Sequence, residues 1–328
     1  VDSIIKDKKL LAFLKNLVKS GNWQLEPYIQ TKRIVELSRL TNIAFRQTGN
    51  KLILHNLIDN LNCKAYFKTL CKQINLNTPQ GLIFDDLDKL LIYLKNLKAK
   101  DFKHIILKKT KAAGGFGNLR GSKKTLINTL PIWLMPNEKV IIEDFIILDK
   151  TIGTLVEISA KNIKFIGVDQ QISKDTIWQG LQYPLTNRKL FSAVKRKSLA
   201  LAKIVQQKGA RGWLNIDFGI RTSDKKLFGF EMNFRHNSFS LLINNFAKPK
   251  NYLIYYNGFK TKHKTAAKIL NNLAKKSILA KNTTDKEGVI LVNVNPKFNT
   301  YGLAIFSPTK NYIDKIARML GVTQTLRL

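Results

Sequence analysis

The sequence is poor in acid and in cysteine, with 22 Asp and Glu against 56 Lys and Arg, and two cysteines in 328 residues. Two thiols cannot build a disulfide framework, and Cys63 and Cys71 form no C-x-x-C pair. Their eight-residue spacing sets them two turns apart on one helix face, beyond bridging distance, so buried or idle thiols are expected. No apolar run reaches the about 20 residues of a membrane-spanning helix; 90–94 and 140–148 are short or carry charges. The G-x-x-x-x-G-K-[ST] loop and the dinucleotide fingerprint are both missing. The first residues, Val1-Asp2-Ser3, have no initiating Met and no signal-peptide core, which reads as a trimmed chain or a fragment, and a soluble cytoplasmic protein is expected.

Scarce acid leaves a formal charge of +34. The excess of Lys over Arg, with abundant Ile and Asn, fits AT-rich coding, but that bias favours Asp and Glu as well. Attraction to polyanions or to an acidic substrate is therefore expected. Nucleic acid ranks second as a partner, because the lysines are spread along the chain without a compact basic tract or regular aromatic interleaving. With 44% hydrophobic residues, the length supports two or three domains with a sizeable core.

Apolar residues recur at helical spacing over 4–20, ending at Gly21, and again around 55–61 and 63–74. Pro79 and Gly81 then break the pattern, which places a boundary near residue 76. Beyond it the sequence predicts a helix over 85–97, a strand over 104–108, a Gly-rich loop, a helix over 122–129 and an apolar strand from Val140. Strands over 153–159 and 163–168 follow, then a helix over 189–208 and two strands, 212–220 and 226–231, joined by a hairpin turn at 222–225. After about 250 come a helix over 265–279, strands over 288–294 and 301–306, and a helix over 311–320. This is an α+β pattern with antiparallel character.

Two segments carry the chemistry. In the loop 108–118, Gly114, Gly115 and Gly117 allow positive φ and bring backbone N–H groups close to phosphate oxygens, with Lys108 at the end of the preceding strand. A surface hairpin is the plain alternative for such a loop. In the second segment, strand periodicity puts Glu231 and Asn233 on one side of a sheet, with Asp217 on the other arm of the hairpin. Two carboxylates and an amide oxygen suit Mg²⁺. Leu214, Ile216, Phe218, Phe228 and Phe230 surround them, and polar groups in such company have partners.

The order of these parts resembles the ATP-grasp superfamily over residues 52 to about 240: a helical Lys, strand-Lys-Gly-rich loop, apolar strand ending in Glu, then Asp and Glu-x-Asn-x-Arg. The resemblance implies an α+β fold in which two lobes clamp ATP. It divides the chain into a pre-grasp α/β region (1–75), an N-terminal lobe with the Gly-rich loop (76–145), a C-terminal lobe with the metal site (146–250) and a small α/β module (251–328). It assigns Lys64 and Lys108 to phosphate, and Gly114, Gly115, Phe116, Gly117 and Asn118 to the loop that closes over it. Glu143, Asp144, Phe145 and Ile146 become the adenine hinge and Asp149 a ribose ligand. Asp217, Glu231 and Asn233 hold Mg²⁺, as two ions with Mn²⁺ able to substitute, and Arg235 steadies the transferred phosphate. Asn215 and Phe234 depart from common patterns, which bears on the acceptor more than on the ATP chemistry.

The resemblance implies a carboxylate-amine ligase that forms an acyl phosphate from a small acid, passes the acyl group to an amine, and releases ADP and phosphate. Lys108 and Arg235 act on the transferring group, and His236 is a candidate for proton transfer or substrate contact, with a structural role as the alternative. The amide-rich 169–171 and aromatic 178–184 segments are candidates for the substrate pocket, with Arg188 for a carboxylate. An amino acid or peptide is the expected substrate, and a homodimer is compatible with it. The other readings are a bicarbonate-activating enzyme of the carboxylase or carbamoyl phosphate synthase kind, and a polyanion-binding protein on a degenerate ATP-grasp scaffold.

Overall fold

The structure, a computed structural model, describes all residues except 46, 113, 116, 175–176, 247–251, 261–264, 281–284, 296, 298 and 321–328. Residues 1–75 are helical. The predicted helix over 4–20 is two helices, Asp2–Lys6 and Lys8–Ser20, because Asp7 leaves the helical conformation and its side chain caps the second, accepting from the Leu10 N–H at 3.0 Å. A helix at Lys32–Thr41, two shorter ones and a helix at Lys64–Gln73 follow. Among the described residues of this region, the strand content is one isolated bridge, Gln24 with Ala44.

A first sheet contains β1 (Gly81–Phe84), β2 (Ile105–Lys109), β3 (Asn118–Leu119) and β4 (Val140–Asp144), in the order β1-β4-β2-β3. Strand alternation sets its two faces to different work. Leu107, Val140 and Ile142 join Leu90 and Leu94 of the helix Leu87–Asn96 and Leu126 and Leu130 of the helix Lys123–Trp133 in one core. On β2, the intervening Ile106 and Lys108 face a cavity instead.

The second sheet has β5 (Leu148–Ile158), β6 (Ile163–Lys174), β7 (Ile177–Tyr183), β8 (Gly212–Arg221), β9 (Leu227–Asn233), β10 (Tyr252–Lys260), β11 (Gly288–Asn295) and β12 (Thr300–Ser307). Its order is β11-β12-β10-β7-β6-β5-β8-β9, with every ladder antiparallel. The helix Arg188–Gln207 buries Val194, Leu201, Ala202 and Val205, spaced at helical intervals, in the core of this sheet. The segment around Trp178 is a central strand, β7, and its Gly180 is required by packing: a Cβ there would lie 2.0 Å from the Tyr255 carbonyl oxygen. The residues after 250 do not form a separate sheet, since β10 pairs with β7 and Leu253 and Tyr255 share a core with Leu155 and Leu181. Among the described residues, no helix is long and apolar enough to cross a membrane.

Candidate functional site

Between the two sheets lies a cavity of about 400 Å³. Its acidic wall comes from the β8–β9 hairpin, where Asp217 and Glu231 are directly paired and so project to one face. The register shifts just past this pair, from Asp217 opposite Glu231 to Phe218 opposite Gly229, leaving Phe230 as an extra residue. Phe230 thereby lines the cavity beside Glu231, and the Lys108 ammonium lies 5.1 Å from its ring centroid.

The carboxylates are partnered. Lys64, the first residue of its helix, forms an ion pair with Glu231 and donates to the Ala112 carbonyl at 2.5 Å. Gln171 donates to Asp217 at 2.6 Å, and the Asn233 amide nitrogen donates to Asp217 at 3.2 Å and to Glu231 at 3.1 Å. Burial, then the charges of Glu231 and Asp169, push the Asp217 pKa well above the usual carboxylate range. Burial pushes Glu231 the same way, but Lys64 and the hydrogen bonds from Lys64 and Asn233 outweigh it and leave Glu231 below its ordinary value. Of this pair, Asp217 is therefore the weaker acid. Asp169, also lining the cavity, is pushed by burial to about 7, with the N–H groups of Gly153 and of Asp169 itself offsetting part of the rise; its Oδ1 is buried without a partner.

Arg235 is held in place by its neighbours. Its guanidinium donates to the Asn233 Oδ1 at 2.6 Å and to the Asn62 Oδ1 at 3.2 Å. Asn62 also accepts from the Phe234 N–H at 3.0 Å and donates to the Phe234 carbonyl at 3.3 Å, fixing the strand end that carries Arg235.

Gly114, Gly115, Gly117 and Asn118 line the cavity from the other side, with Gly114 and Gly115 in the left-handed region at φ 66° and 85°. The Trp178 N–H donates to the Gly114 carbonyl at 3.4 Å, so the loop rests on the large sheet. Phe116 lies outside the described residues. Asp144, Phe145 and Ile146 line the cavity where the two sheets join, and the Arg120 guanidinium stacks on Phe145, 3.2 Å from the ring centroid.

Other expected residues stand elsewhere. Glu143 is buried behind the wall, with its carboxylate on Lys68 and Lys108, each at 2.6 Å. Asp149 points to solvent and pairs with Lys225 at 3.1 Å, while Thr151 lines the cavity. His236 does not line it: its Nδ1 lies 3.2 Å from the Ser240 hydroxyl, its ring packs against Trp213, and its Nε2, 3.2 Å from Glu26, is not aligned for a hydrogen bond. In this setting the His236 side chain is held by Ser240 and Trp213 beside the cavity-lining Arg235 and Asn237. Arg188 is exposed at the start of its helix and outside the lining. Sequence reasoning missed Asn62, Thr151 and the part played by Lys68, and it flagged Asp169 and Gln171 only as pocket lining; the ring of core residues around Asp217 and Glu231 was the available signal that partners had to exist.

The donor set fits a hard divalent cation. Among the described residues, no group of three His, Cys, Asp or Glu is arranged to hold a metal, but Asp217, Glu231 and Asn233 offer two carboxylates and an amide. The amide now turns its nitrogen to the carboxylates and its oxygen to Arg235; a flip would present oxygen to a cation.

No protein-family model and no curated protein matches this sequence. Solved structures do match. An N5-carboxyaminoimidazole ribonucleotide synthetase in complex with ADP superposes with a TM-score of 0.64 at 14% identity, covering 96% of this chain and 83% of that one. The Aspergillus clavatus N5-carboxyaminoimidazole synthase, bound to ADP and its aminoimidazole ribonucleotide, gives 0.60 at 12%, covering 89% and 80%. The biotin carboxylase domain of the Hydrogenobacter thermophilus 2-oxoglutarate carboxylase, with MgADP, ADP and bicarbonate, gives 0.61 at 14%, covering 88% and 70%. At these identities the likeness is one of architecture, and the architecture of this chain is the α+β ATP-grasp fold.

Proposed function

We propose that this protein is an ATP-dependent ligase-type enzyme that phosphorylates bicarbonate and passes the resulting carboxyl group to an amine. The observation that carries the ATP reading is the gathering, in one cavity under a Gly-rich loop, of the cations Lys64, Lys108 and Arg235 with the oxygen donors Asp217, Glu231 and Asn233. Phosphoryl transfer asks for that pairing of cations and metal-binding oxygens, since it needs alignment and charge neutralisation more than a covalent helper. Bicarbonate is chosen over an amino acid in this reading because one of the structures named above contains bicarbonate with MgADP and the others are enzymes named for carboxyamino products.

In this reading Lys64 and Lys108 hold phosphate oxygens, with the backbone N–H groups around Gly114 and Gly115 closing over them. Asp144, Phe145 and Ile146 offer the junction of the lobes to the base. Asp217, Glu231 and Asn233 would hold Mg²⁺, which supplies charge neutralisation of the phosphate oxygens when bound. Lys64 then has to leave Glu231 for phosphate, and a bound cation would favour the ionised form of Asp217.

Bicarbonate oxygen attacks the γ-phosphorus; the new O–P bond forms as the bond to the β-bridging oxygen breaks, and ADP leaves. Arg235 stands beside the acid set to steady the carboxyphosphate. An amine attacks its carbonyl carbon, the C–O bond to phosphate breaks, and the amine proton leaves with phosphate. Contact between the loop and β7 keeps water from the intermediate.

ADP release measured with Mg-ATP, with and without bicarbonate, against a panel of amines tests this. Turnover that requires bicarbonate and an amine supports it. ADP release that requires an amino acid or peptide carboxylate, and ignores bicarbonate, returns the assignment to an amino-acid ligase.

A further inference from the structure

Glu143 is 3% exposed and lies outside the cavity, yet each of its oxygens is committed: Oε1 to Lys108 Nζ and Oε2 to Lys68 Nζ, both at 2.6 Å. The two lysines come from different halves of the molecule. Glu143 and Lys108 sit on β4 and β2 of the small sheet, whose core is built around Leu90, Leu107 and Ile142. Lys68 is on the helix Lys64–Gln73, which buries Phe67, Leu70 and Cys71 in the core of the large sheet, and the two cores share no residue. Lys68 Nζ also donates to the Pro79 carbonyl at 2.5 Å, on the segment leading into β1.

Charge arithmetic gives this arrangement a purpose. One buried carboxylate with one lysine is a neutral pair, and Lys108 would then be spent on Glu143. With a second lysine the cluster is net positive, and the excess charge reaches the cavity at Lys108, which lines it. We propose that Lys68 is a positioning residue with two effects: it shares Glu143 so that Lys108 keeps its charge for an anionic ligand, and it clasps the two lobes across their junction. The first effect rests on the nucleotide reading above; the second does not.

The test compares wild type, Lys68→Met and Lys68→Arg. Calorimetric titration with ATP and with adenosine reads the charge effect. Loss of one charge-assisted contact network predicts about tenfold weaker ATP binding in Lys68→Met, with adenosine changed less than about twofold, and Lys68→Arg back to within about threefold of wild type. Equal weakening of ATP and adenosine would overturn the charge role. Single-molecule energy transfer between dyes at positions 92 and 203, on exposed helix faces of the two halves, reads the clasp: the distance distribution broadens in Lys68→Met, and an unchanged distribution refutes it. If wild type binds neither ligand, the nucleotide reading and the charge effect fall, and the distance distribution still decides the clasp. Should Lys68→Met not fold, Lys68→Gln, which keeps a donor for Pro79, carries the same comparisons.

Discussion

Replacing Asp169 with Asn should make the protein more stable at neutral pH and almost unchanged in acid. Burial raises this carboxyl from 3.8 to about 7 in the folded chain. The folded state therefore holds a proton that the unfolded state has already lost, and stability falls as pH climbs from about 4 to about 7, then levels. About three pH units at 1.36 kcal/mol each gives about 4 kcal/mol as the upper size of that loss. An amide of the same shape carries no charge to desolvate, so Asp169→Asn should exceed wild type by up to about 4 kcal/mol at pH 8 and match it near pH 4. Urea unfolding of both proteins at pH 4, 6 and 8 measures the difference. Asp217, which the Asp169 charge pushes up, is relieved of that charge in the variant, so its titration moves the difference in the same direction. A difference that stays constant with pH would refute the argument, because it would mean that Asp169 does not carry the proton that its burial implies.

Other consequences are equally direct. Asn62→Ala removes the side chain that holds both backbone groups of Phe234 and one arm of Arg235; at roughly 1 kcal/mol per hydrogen bond it should cost about 2–3 kcal/mol in thermal or urea unfolding and weaken nucleotide binding. Cys71, buried and pushed by burial to about 12, should resist thiol reagents at pH 8 in the native protein while Cys63 reacts; mass spectrometry of labelled peptides distinguishes the two. Asp149→Ala removes only an exposed ion pair with Lys225, so stability should shift by less than about 1 kcal/mol and nucleotide affinity should be unchanged, in contrast to Thr151→Val on the cavity wall.

What could be read from the sequence follows the range over which each feature is determined. The helix Arg188–Gln207 and the β8–β9 hairpin are local patterns, one of period 3.6 and one of alternation around a turn, and the hairpin carries Asp217 opposite Glu231 with it. β7 was missed as a strand because Trp178, Gln179, Gly180 and Gln182 show no alternation: the segment is flanked on both edges, and Gly180 serves the close approach of Tyr255. The single helix expected over 4–20 failed at Asp7, where a capping side chain overrides a continuous apolar stripe. Within the site, residue types announced Lys108, Asp217, Glu231 and Asn233, and the family resemblance added Lys64. The partners that set their charge states, Asn62, Lys68, Asp169 and Gln171, depend on which distant strands and helices meet, and one-dimensional spacing holds no such information. Asp149 and His236 show the same limit: their neighbours in sequence line the cavity, while Asp149 points to solvent and His236 packs against Trp213.

A magnesium nucleotide bound in this cavity would depend on Glu231. Thermal unfolding of wild type and Glu231→Ala, each with and without Mg-ATP, tests it most directly. Mg-ATP should raise the melting temperature of wild type, by about 2.7 kcal/mol of added stability at a hundredfold excess over Kd, and leave Glu231→Ala unmoved. No shift in wild type, or an equal shift in both proteins, would contradict it.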